Sequence, residues 1–302
     1  MKLLLAGNIH LSIEQTQKLY NCGFNVVDIL PNEQSTPCRF DYDVIVCNWL
    51  FVNHDISKFK NLKFIQTLSA GIDRIPIDYV KNNGIIIKNA AGIYSVPMAE
   101  FVLMCILDEF KQSFFFYNNE VEHNWNKNRD IMELSGKTIC VYGTGNIGKQ
   151  IAVRLKAFGV KVIGVDVYQT PNDMFEKVYR SDNWKEGICD ADVVIATLPL
   201  TSETENTFNY EKFSVMKPSA IFMNFSRGKI VNEGDLKLAI EERIISKAVL
   251  DVQVNEPLDV NNWMWDNPNV RITPHNSFVS DGNDERMSKL LLENIKDWIN
   301  KQ

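Results

Sequence analysis

Short apolar runs alternate with amphipathic stretches along nearly the whole chain. Five runs rich in aliphatic and β-branched residues precede residue 95, at positions 2–7, 24–30, 41–48, 62–68 and 84–89. Six more follow, at positions 137–143, 160–167, 191–199, 220–226, 247–252 and 270–274. Apolar runs of this length, separated by helical patterns, are typical of buried strands in βαβ units. The pattern therefore predicts an α/β fold made of two series of mostly parallel strands.

The stretches between these runs carry signals for helices. Residues 12–15, SIEQ, form a capping box before a first helix, and Gly23 closes that helix. Residues 284–300 repeat apolar side chains at helical spacing and predict an amphipathic last helix. Residues 97–125 also have a helical pattern, but residues 114–117 are FFFY. Successive residues point in different directions around a helix, so one buried face cannot hide all three phenylalanines, and we predict a subunit contact here.

Composition and charge narrow the function classes. A chain of 302 residues is long enough for two domains with their own cores. The net charge of −6 and the scattered basic residues argue against binding to nucleic acid or to an anionic membrane. The apolar stretch at residues 3–6 is too short for a signal peptide, and the longest one, residues 101–107, is too short to cross a bilayer. We therefore expect a soluble protein.

The six cysteines are isolated in the sequence. None forms a C-x-x-C pair or has a histidine at the spacing of metal ligands, so we predict no metal site. Several lie in apolar runs, where a free cysteine behaves as a small apolar side chain. Reduced thiols of this kind favour a location in the cytoplasm.

A glycine motif lies between the sixth predicted strand and the helix that follows it. Residues 141–150, VYGTGNIGKQ, contain G-x-G-x-x-G at Gly143, Gly145 and Gly148. The first glycine permits a tight turn, the second lets a pyrophosphate approach the backbone, and the third lets helix and strand pack closely. The helix N-terminus adds unpaired N–H groups for the phosphates. Because the motif follows a strand and opens a helix, we expect a dinucleotide-binding site.

An acidic residue at the end of the next predicted strand indicates which dinucleotide binds. Asp166 lies 18 residues after Gly148. A carboxylate at this place accepts hydrogen bonds from the ribose 2′-hydroxyl and repels a 2′-phosphate, so we predict NAD as the cofactor. An NADP-dependent reductase would need a basic residue just after the strand, where this chain has Asp166, Val167 and Tyr168.

The last three predicted strands are each followed by a polar side chain that suits one reaction. These side chains belong to Arg227, Glu256 and His275. Ligands of doubly wound sheets bind at the carboxyl ends of the strands, where all three would lie. A histidine there can protonate a carbonyl oxygen during hydride transfer, an arginine can hold a neighbouring carboxylate, and a glutamate can orient the histidine. The same residue types also form ordinary salt bridges in loops, so residue types alone leave both interpretations open.

At these residues the sequence resembles the D-isomer-specific 2-hydroxyacid dehydrogenases, and the resemblance covers nearly the whole chain. It rests on six motifs in the family's order, which are SAGID at 69–73, the glycine motif with Asp166, TLPLTSET at 197–204, NFSRGKIV at 224–231, LDVQVNEPL at 250–258 and TPH at 273–275. The resemblance implies two doubly wound parallel-sheet domains with the active site in the cleft between them. A Rossmann NAD-binding domain, residues 96–278, would be inserted into a flavodoxin-like substrate domain, residues 1–95 plus 279–302. It also implies a homodimer formed through an arm at 97–135.

The resemblance assigns roles to the residues that would act on the substrate. Arg227 would bind the substrate carboxylate and carbonyl. Glu256 would orient His275, and His275 would be the acid–base catalyst. The backbone N–H groups of Ala70 and Gly71 would bind the substrate carboxylate.

The cofactor-binding residues that the resemblance implies lie in the glycine motif and after the later strands. Asp251 would hydrogen-bond the nicotinamide carboxamide. The others would be Gly143, Gly145, Asn146, Ile147, Gly148, Asp166, Leu198, Pro199 and Thr204.

Two departures from the family bear on the substrate. After TPH many members carry small residues, whereas this chain has Asn276, Ser277 and Phe278, which changes the expected wall of the cleft. The loop at 48–55, NWLFVNHD, lacks the arginine expected of a member that binds a phosphorylated substrate. We therefore expect glyoxylate, hydroxypyruvate or a branched-chain 2-oxo acid ahead of phosphohydroxypyruvate. Formate dehydrogenases of this superfamily carry glutamine at the position of Glu256, so we set that activity aside.

A second class of function stays open, because a fold does not settle function. A member of this family can bind NAD and act as a redox-sensing interaction protein without turnover. Such a protein needs the glycines and Asp166, but it does not need Arg227, Glu256 and His275 together. All three are present in this chain, so we expect an enzyme and keep the sensor as the alternative.

Overall fold

The computed structural model describes residues 1–169 and 173–301, which divide into two compact units. The first unit comprises Met1–Tyr94 and Ser280–Gln302, and the second comprises Ser95–Val279. Gln302, the last residue of the predicted substrate domain, lies outside the described residues. Each unit contains one parallel sheet, so the predicted α/β class with two parallel-sheet domains is confirmed.

The first unit is built on a sheet of five strands. Their bounds are Lys2–Ala6 (β1), Val26–Leu30 (β2), Val44–Cys47 (β3), Phe64–Thr67 (β4) and Ile86–Lys88 (β5). They are all parallel and lie in the order β2-β1-β3-β4-β5, which is the order of flavodoxin-like domains. Every residue of β3 and β4 is buried, as expected for inner strands of a parallel sheet.

Helices of the first unit pack on this sheet. They are Ile13–Asn21 (α1), Leu50–Asn53 (α2), Ile77–Asn82 (α3) and, where the chain returns, Asn283–Ile299 (α10). The Ser12 hydroxyl accepts a hydrogen bond from the Gln15 N–H at 3.1 Å, and the Gln15 side chain accepts one from the Ser12 N–H at 2.8 Å. The predicted capping box is thus confirmed. The predicted last helix is α10, which buries Met287, Leu291, Ile295 and Trp298 in the core around β1 and β3.

The second unit is built on a sheet of seven strands. Their bounds are Thr138–Tyr142 (β6), Lys161–Asp166 (β7), Lys177–Arg180 (β8), Val193–Ala196 (β9), Ile221–Asn224 (β10), Lys247–Leu250 (β11) and Val270–Ile272 (β12). All neighbours are parallel, in the order β12-β11-β10-β9-β6-β7-β8. The chain thus starts in the middle of the sheet, winds to one side and then to the other, as in Rossmann domains.

Two apolar cores lie on the two faces of this sheet. The helices of the unit are Ser95–Lys111 (α4), Ser113–Val121 (α5), Asn146–Lys156 (α6), Trp184–Ile188 (α7), Tyr210–Val215 (α8) and Glu233–Glu241 (α9). One core joins α4 and α6 to inward side chains of the strands, among them Val141 and Val249. The other core lies under α7, α8 and α9 and centres on Phe208, Phe213 and Phe222.

The structure corrects two expectations about the second unit. The helical pattern at 97–125 is not one helix, because Gln112 adopts a left-handed backbone conformation with φ of 50° and separates α4 from α5. Strand β8 lies at a sheet edge and was not predicted. Of its four residues only Val178 is buried, so the sequence has no apolar run there.

Helix α5 exposes its aromatic side chains. Phe114 is 51% exposed and Tyr117 is 62% exposed, and Phe115 and Phe116, also exposed, contact each other edge to face. Trp125, shortly after the helix, is 96% exposed. Exposed apolar surface of this extent marks interaction sites in soluble proteins. The predicted subunit contact at this segment stays a prediction.

Candidate active site

Polar side chains converge on the carboxyl edge of the second sheet. Strands β10, β11 and β12 are neighbours and run parallel, so their carboxyl ends lie at the same edge. Arg227 follows β10 by three residues, Glu256 follows β11 by six, and His275 follows β12 by three. The glycine loop after β6 and Asp166 at the end of β7 belong to the same edge.

His275 and Glu256 form a hydrogen-bonded pair. The Nδ1 atom of His275 lies 2.8 Å from Oε2 of Glu256. The other carboxylate oxygen, Oε1, accepts a hydrogen bond from the Gln253 N–H at 3.1 Å. Because both oxygens are engaged, the carboxylate is fixed and in turn fixes the imidazole ring. With Nδ1 turned to the carboxylate, Nε2 is the ring nitrogen that can exchange a proton with a ligand.

The loop that carries His275 is organised by Asp251, which is only 1% exposed. The Asp251 carboxylate accepts hydrogen bonds from the Thr273 hydroxyl at 2.6 Å, the Asn276 N–H at 2.9 Å and the Ser277 N–H at 3.2 Å. The Asp251 carbonyl accepts one from the His275 N–H at 2.8 Å. These bonds hold His275 at a φ of 49°, which a residue other than glycine rarely adopts. Sequence reasoning missed this structural role of Asp251, since nothing in the motif tells which atoms it contacts.

Phe278 forms an aromatic wall beside the histidine. Its ring centroid lies 5.7 Å from that of His275, and the two ring planes meet at 86°. This edge-to-face geometry is favourable for aromatic pairs. The contact arises at one of the positions where the sequence departs from the family pattern.

The loop after β10 is joined to the loop after β11. The Arg227 guanidinium donates a hydrogen bond through Nη1 to the Ser226 carbonyl at 2.8 Å. A Cβ atom on Gly228 would lie 2.0 Å from the backbone carbonyl carbon of Gln253, so the two loops touch through their backbones. Since the Gln253 N–H also donates to Glu256, the Arg227 loop abuts the segment that fixes the carboxylate.

The glycine loop has the shape that a pyrophosphate requires. Gly143 has a φ of 108°, and a Cβ on it would lie 2.8 Å from the Thr197 carbonyl oxygen. A Cβ on Gly148 would lie 2.1 Å from the Gly143 carbonyl oxygen, so only glycine allows α6 to pack this closely. A Cβ on Gly145 would meet nothing within 4 Å, which leaves open space before the N-terminus of α6 at Asn146. These features fit the phosphates of a dinucleotide.

Asp166 lies beside the glycine loop. One carboxylate oxygen accepts hydrogen bonds from the N–H of Thr144 at 2.6 Å and from its hydroxyl at 3.0 Å. The other accepts one from the Tyr168 N–H at 3.1 Å. Each carboxylate oxygen can accept more than one hydrogen bond, so capacity remains for a ribose hydroxyl.

The loop after β9 is held by its own polar side chains. The Leu198 N–H donates to the Ser226 hydroxyl at 3.0 Å, which ties this loop to the Arg227 loop. The Thr204 hydroxyl donates to the Pro199 carbonyl at 2.6 Å and accepts from the Thr201 N–H at 2.8 Å. Ile147, the remaining cofactor-binding candidate, is half-buried on the first turn of α6.

Within the first unit, Ala70 and Gly71 follow β4 at the carboxyl edge of its sheet. The Asn89 side chain donates a hydrogen bond to the Ala70 carbonyl at 2.7 Å. The Ser69 hydroxyl donates to the Gly71 carbonyl at 2.7 Å. Both carbonyls are thus engaged by the unit itself, which fixes the direction of the peptide groups in this loop.

The loop at 48–55 is also fixed within the first unit. The Glu33 carboxylate accepts hydrogen bonds from the N–H groups of Asn48, at 2.6 Å, and of Trp49, at 2.5 Å. Arg74 donates to the Asn48 side chain at 2.9 Å, and its guanidinium lies 3.5 Å from the centre of the Trp49 ring. The loop has no arginine in its own sequence, but in the folded unit the guanidinium of Arg74 stacks on its tryptophan. Sequence reasoning missed Arg74 because 25 residues separate it from Trp49.

The part of the chain that the structure describes has no group of three or more His, Cys, Asp and Glu side chains that could hold a metal ion. None of its helices combines the length and the apolar character needed to span a bilayer. Burial raises the pKa of Tyr142, just before the glycine loop, so its phenol stays neutral and is a poor acid–base candidate.

Comparisons with known proteins give a consistent result. A sequence model described as D-isomer specific 2-hydroxyacid dehydrogenase, NAD binding domain, matches residues 103–277. A human protein named glyoxylate reductase/hydroxypyruvate reductase is 30% identical over 240 residues, which cover 78% of this chain and 73% of that protein. D-3-phosphoglycerate dehydrogenase of Methanocaldococcus jannaschii is 32% identical over 249 residues, but the match covers only 46% of its length and 80% of this chain.

A solved structure is similar over the whole length. It is a D-isomer specific 2-hydroxyacid dehydrogenase family protein from Aeromonas salmonicida, with 28% identity and a TM-score of 0.85. The match covers 100% of this chain and 96% of that one.

Proposed function

The chain belongs to the family of NAD-dependent D-isomer-specific 2-hydroxyacid dehydrogenases, and from this premise we propose that it reduces a small 2-oxo acid with His275 as the acid–base catalyst. The observation that carries the proposal is the His275–Glu256 pair, 2.8 Å long, at the same sheet edge as the glycine loop. When bound, the reduced nicotinamide supplies the hydride that the carbonyl carbon accepts.

His275 supplies the proton in this proposal. Negative charge grows on the carbonyl oxygen during reduction, and a protonated imidazole can neutralise it through Nε2. The Glu256 carboxylate stabilises the imidazolium through Nδ1 and keeps the ring in one orientation. In the reverse direction, the neutral ring takes the hydroxyl proton through the same nitrogen.

Arg227 binds the substrate carboxylate and the carbonyl oxygen in this proposal. A guanidinium offers paired N–H donors that match a carboxylate. Ala70 and Gly71 keep the part that the family resemblance gives them, as backbone N–H donors to the same carboxylate. Domain roles follow the same resemblance, with 96–278 as the NAD-binding domain and 1–95 plus 279–302 as the substrate domain.

The cofactor is a nicotinamide dinucleotide, and we propose NAD rather than NADP because of Asp166. The phosphates would lie on the glycine loop and the α6 N-terminus, at Gly143, Gly145, Asn146, Ile147 and Gly148. The Asp166 carboxylate would take the ribose hydroxyls, and a 2′-phosphate would meet its negative charge. Leu198, Pro199 and Thr204 would border the bound dinucleotide, and Asp251 would contact the nicotinamide carboxamide.

For the substrate we propose glyoxylate, hydroxypyruvate or a branched-chain 2-oxo acid. The relative from human carries the first two in its name. In the second unit, Phe278 presents apolar surface beside His275, which suits an acid of small to moderate apolar character.

We also propose a homodimer through the arm at 97–135, supported by the exposed aromatic side chains of α5. All six cysteines are free thiols, which suits the reducing cytoplasm, where we place the protein. Size-exclusion chromatography with light scattering would test the dimer directly. A monomer at micromolar concentration would contradict it.

The proposed reaction is tested with NADH oxidation against a panel of 2-oxo acids. The panel contains glyoxylate, hydroxypyruvate, phosphohydroxypyruvate, pyruvate and 2-oxoisocaproate, each measured with NADH and with NADPH. We expect turnover of at least one small acid with NADH, and weaker turnover with NADPH. If NADH binds tightly but no acid is reduced, the reductase proposal is wrong and the redox-sensing alternative takes its place.

A further inference from the structure

The two outer strands that carry the His275–Glu256 pair are both tied to the last turn of α4. Arg271 in β12 places Nη1 at 2.8 Å from Oδ2 of Asp108. Lys247 in β11 places Nζ at 2.6 Å from Oε2 of Glu109. Strand β12 has three residues and lies at the edge of the sheet, where it pairs with β11 alone among the described strands. Side-chain anchors therefore matter more for β12 than for an inner strand.

Strand register explains why Arg271 reaches α4. Arg271 lies opposite Val249 in the sheet, and Val249 belongs to the core beneath α4. The neighbours Val270 and Ile272 pack on the other core, as the alternation of a strand requires. Arg271 thus occupies a position that an apolar side chain could fill.

The ion pair between Arg271 and Asp108 is unusually sheltered. Their side chains are 19% and 21% exposed, whereas most ion pairs among the described residues keep one partner more than a third exposed. Nη1 is buried and is not aligned for a hydrogen bond, so the contact is between charges. Burying such a pair contributes little to stability, and in some proteins it fixes one geometry instead.

The first two residues of α5, Ser113 and Phe114, contact the same ion pair. The Arg271 guanidinium lies 4.5 Å from the centre of the Phe114 ring, a cation–π contact. The Ser113 hydroxyl donates a hydrogen bond to the second oxygen of Asp108 at 2.6 Å. The first two residues of α5 therefore hold the pair, while Asn119 is the residue of this helix that is buried.

From Arg271 the chain leads to the histidine in four residues. Thr273 and His275 are hydrogen-bonded to Asp251, and His275 is held in a left-handed conformation that is sparsely populated for its residue type. A shift of β12 along or away from the sheet would change the direction of the imidazole ring. The 2.8 Å contact of the ring with Glu256 would then lengthen.

We infer that Arg271 is a positioning residue for the catalytic histidine, and that its ion pair with Asp108, stacked on Phe114, links the conformation of α5 to the His275–Glu256 pair. The inference rests on the proposed function only where it concerns turnover. Nothing in it requires Arg271 to touch substrate or cofactor. If this link exists, a change in the conformation of α5, such as one caused by a contact on its exposed aromatic side chains, alters the orientation of the His275 ring.

The test compares Arg271→Met, Arg271→Lys, Asp108→Asn and Phe114→Ala with Lys217→Met. Lys217 serves as the control, because it also forms an ion pair within the second unit, with Asp192 at 3.0 Å, in which the two side chains are 35% and 24% exposed. That pair lies before β9 and β10, at the opposite edge of the same sheet. The chain has four histidines, so the ring ¹⁵N signals of His275 can be assigned with the variant His275→Gln.

The first measurement is the ¹⁵N chemical shift of the two ring nitrogens of His275, which reports its hydrogen bond and needs no turnover. We expect Arg271→Met, Asp108→Asn and Phe114→Ala to move these signals, Arg271→Lys to move them less, and Lys217→Met to leave them in place. The second measurement is kinetic. In Arg271→Met we expect kcat to fall roughly two- to thirtyfold, the range typical of coupling residues, with the Kd for NADH unchanged.

Each outcome decides the inference. Unchanged His275 signals in a folded Arg271→Met variant would overturn it, and so would equal shifts in Lys217→Met, which would indicate a general loss of stability. If Arg271→Met does not fold, Phe114→Ala decides, because Phe114 is half exposed and its truncation removes the stacking contact without altering Arg271 or Asp108; light scattering on the same variant shows whether its oligomeric state has changed. If the wild-type protein reduces no 2-oxo acid, the proposed function fails, and the ¹⁵N shifts still show whether Arg271 positions the histidine.

Discussion

Replacing Glu256 by glutamine separates the charge of this side chain from its shape. In the structure, Oε2 of Glu256 is hydrogen-bonded to Nδ1 of His275 at 2.8 Å, and Oε1 accepts a hydrogen bond from the Gln253 N–H at 3.1 Å. A carboxylate can accept at both ends, but a carboxamide has one oxygen and one NH2 group. In Glu256→Gln the NH2 group must therefore face either the imidazole N–H or the Gln253 N–H. One of the two hydrogen bonds is lost, and the imidazolium loses its counter-charge.

The size of the effect follows from these contacts. A hydrogen bond to a charged group contributes about 1.5–3 kcal/mol, against about 0.5–1.5 kcal/mol for a neutral one. The side chains of His275 and Glu256 are 26% and 36% exposed, so solvent screens part of the charge interaction. We therefore expect Glu256→Gln to reduce the stabilisation of the transition state by about 1–2 kcal/mol, which lowers kcat roughly five- to thirtyfold.

The assay measures kcat and KM for the best 2-oxo acid, with the Kd for NADH determined separately by fluorescence. Glu233→Gln is the matched control, because its carboxylate also accepts a backbone N–H, that of Val254 at 3.1 Å, and no contact joins it to His275. We expect the loss in kcat for Glu256→Gln alone. The reasoning is refuted if kcat is unchanged, if the whole effect lies in KM, or if Glu233→Gln loses as much.

Three further predictions test the site and its surroundings. His275→Gln should lower kcat by at least about a hundredfold and leave the Kd for NADH unchanged; a parallel loss of NADH affinity would contradict its role. Gly145→Ala should weaken NADH binding without lowering Tm, since its Cβ meets nothing within 4 Å, whereas Gly148→Ala should lower Tm, since its Cβ would lie 2.1 Å from a carbonyl oxygen; equal Tm values would show that the loop relaxes. Burial raises the pKa of the Cys105 thiol to about 12, so an alkylating reagent at pH 8 should modify exposed Cys38 and spare Cys105, as read by mass spectrometry of the native protein; modification of both would mean that the core opens.

The strands were the most predictable part of this fold. Each of the eleven apolar runs corresponds to a strand. The inner strands need near-continuous apolar sequence because they are buried on both faces, and the edge strands β2, β5 and β12 are also rich in Val and Ile although none of their residues is fully buried. Strand β8 escaped prediction because its sequence, KVYR, has one aliphatic residue, Val178, and so contains no apolar run. The break between α4 and α5 escaped because the left-handed residue is Gln112, where glycine or asparagine would have signalled it.

The candidate site was predictable to the level of strand ends but no further. Parallel strands put Arg227, Glu256 and His275 at one edge once the order of the strands is given. Which atoms then come into contact depends on the conformation of the loops. Loop sequences lack the regular spacing of apolar residues from which strands and helices are predicted. The buried carboxylate of Asp251, which holds the loop of His275, has no signature in the sequence beyond its residue type.

Contacts between residues that are far apart in the sequence are the hardest to predict from the sequence, and Arg271 is an example. In the sequence it is a charged residue inside a short apolar run, a pattern that suits an edge strand with one side chain in solvent. In the fold its side chain points toward α4, because Arg271 lies opposite Val249 in the sheet and therefore on the face that α4 covers. There it contacts Asp108, which lies in the last turn of the helix. The partner follows only from register and helix position together, and both are properties of the assembled sheet. Since β12 pairs with β11 alone among the described strands, the buried charge of Arg271 is one of the side-chain contacts that anchor the strand preceding His275.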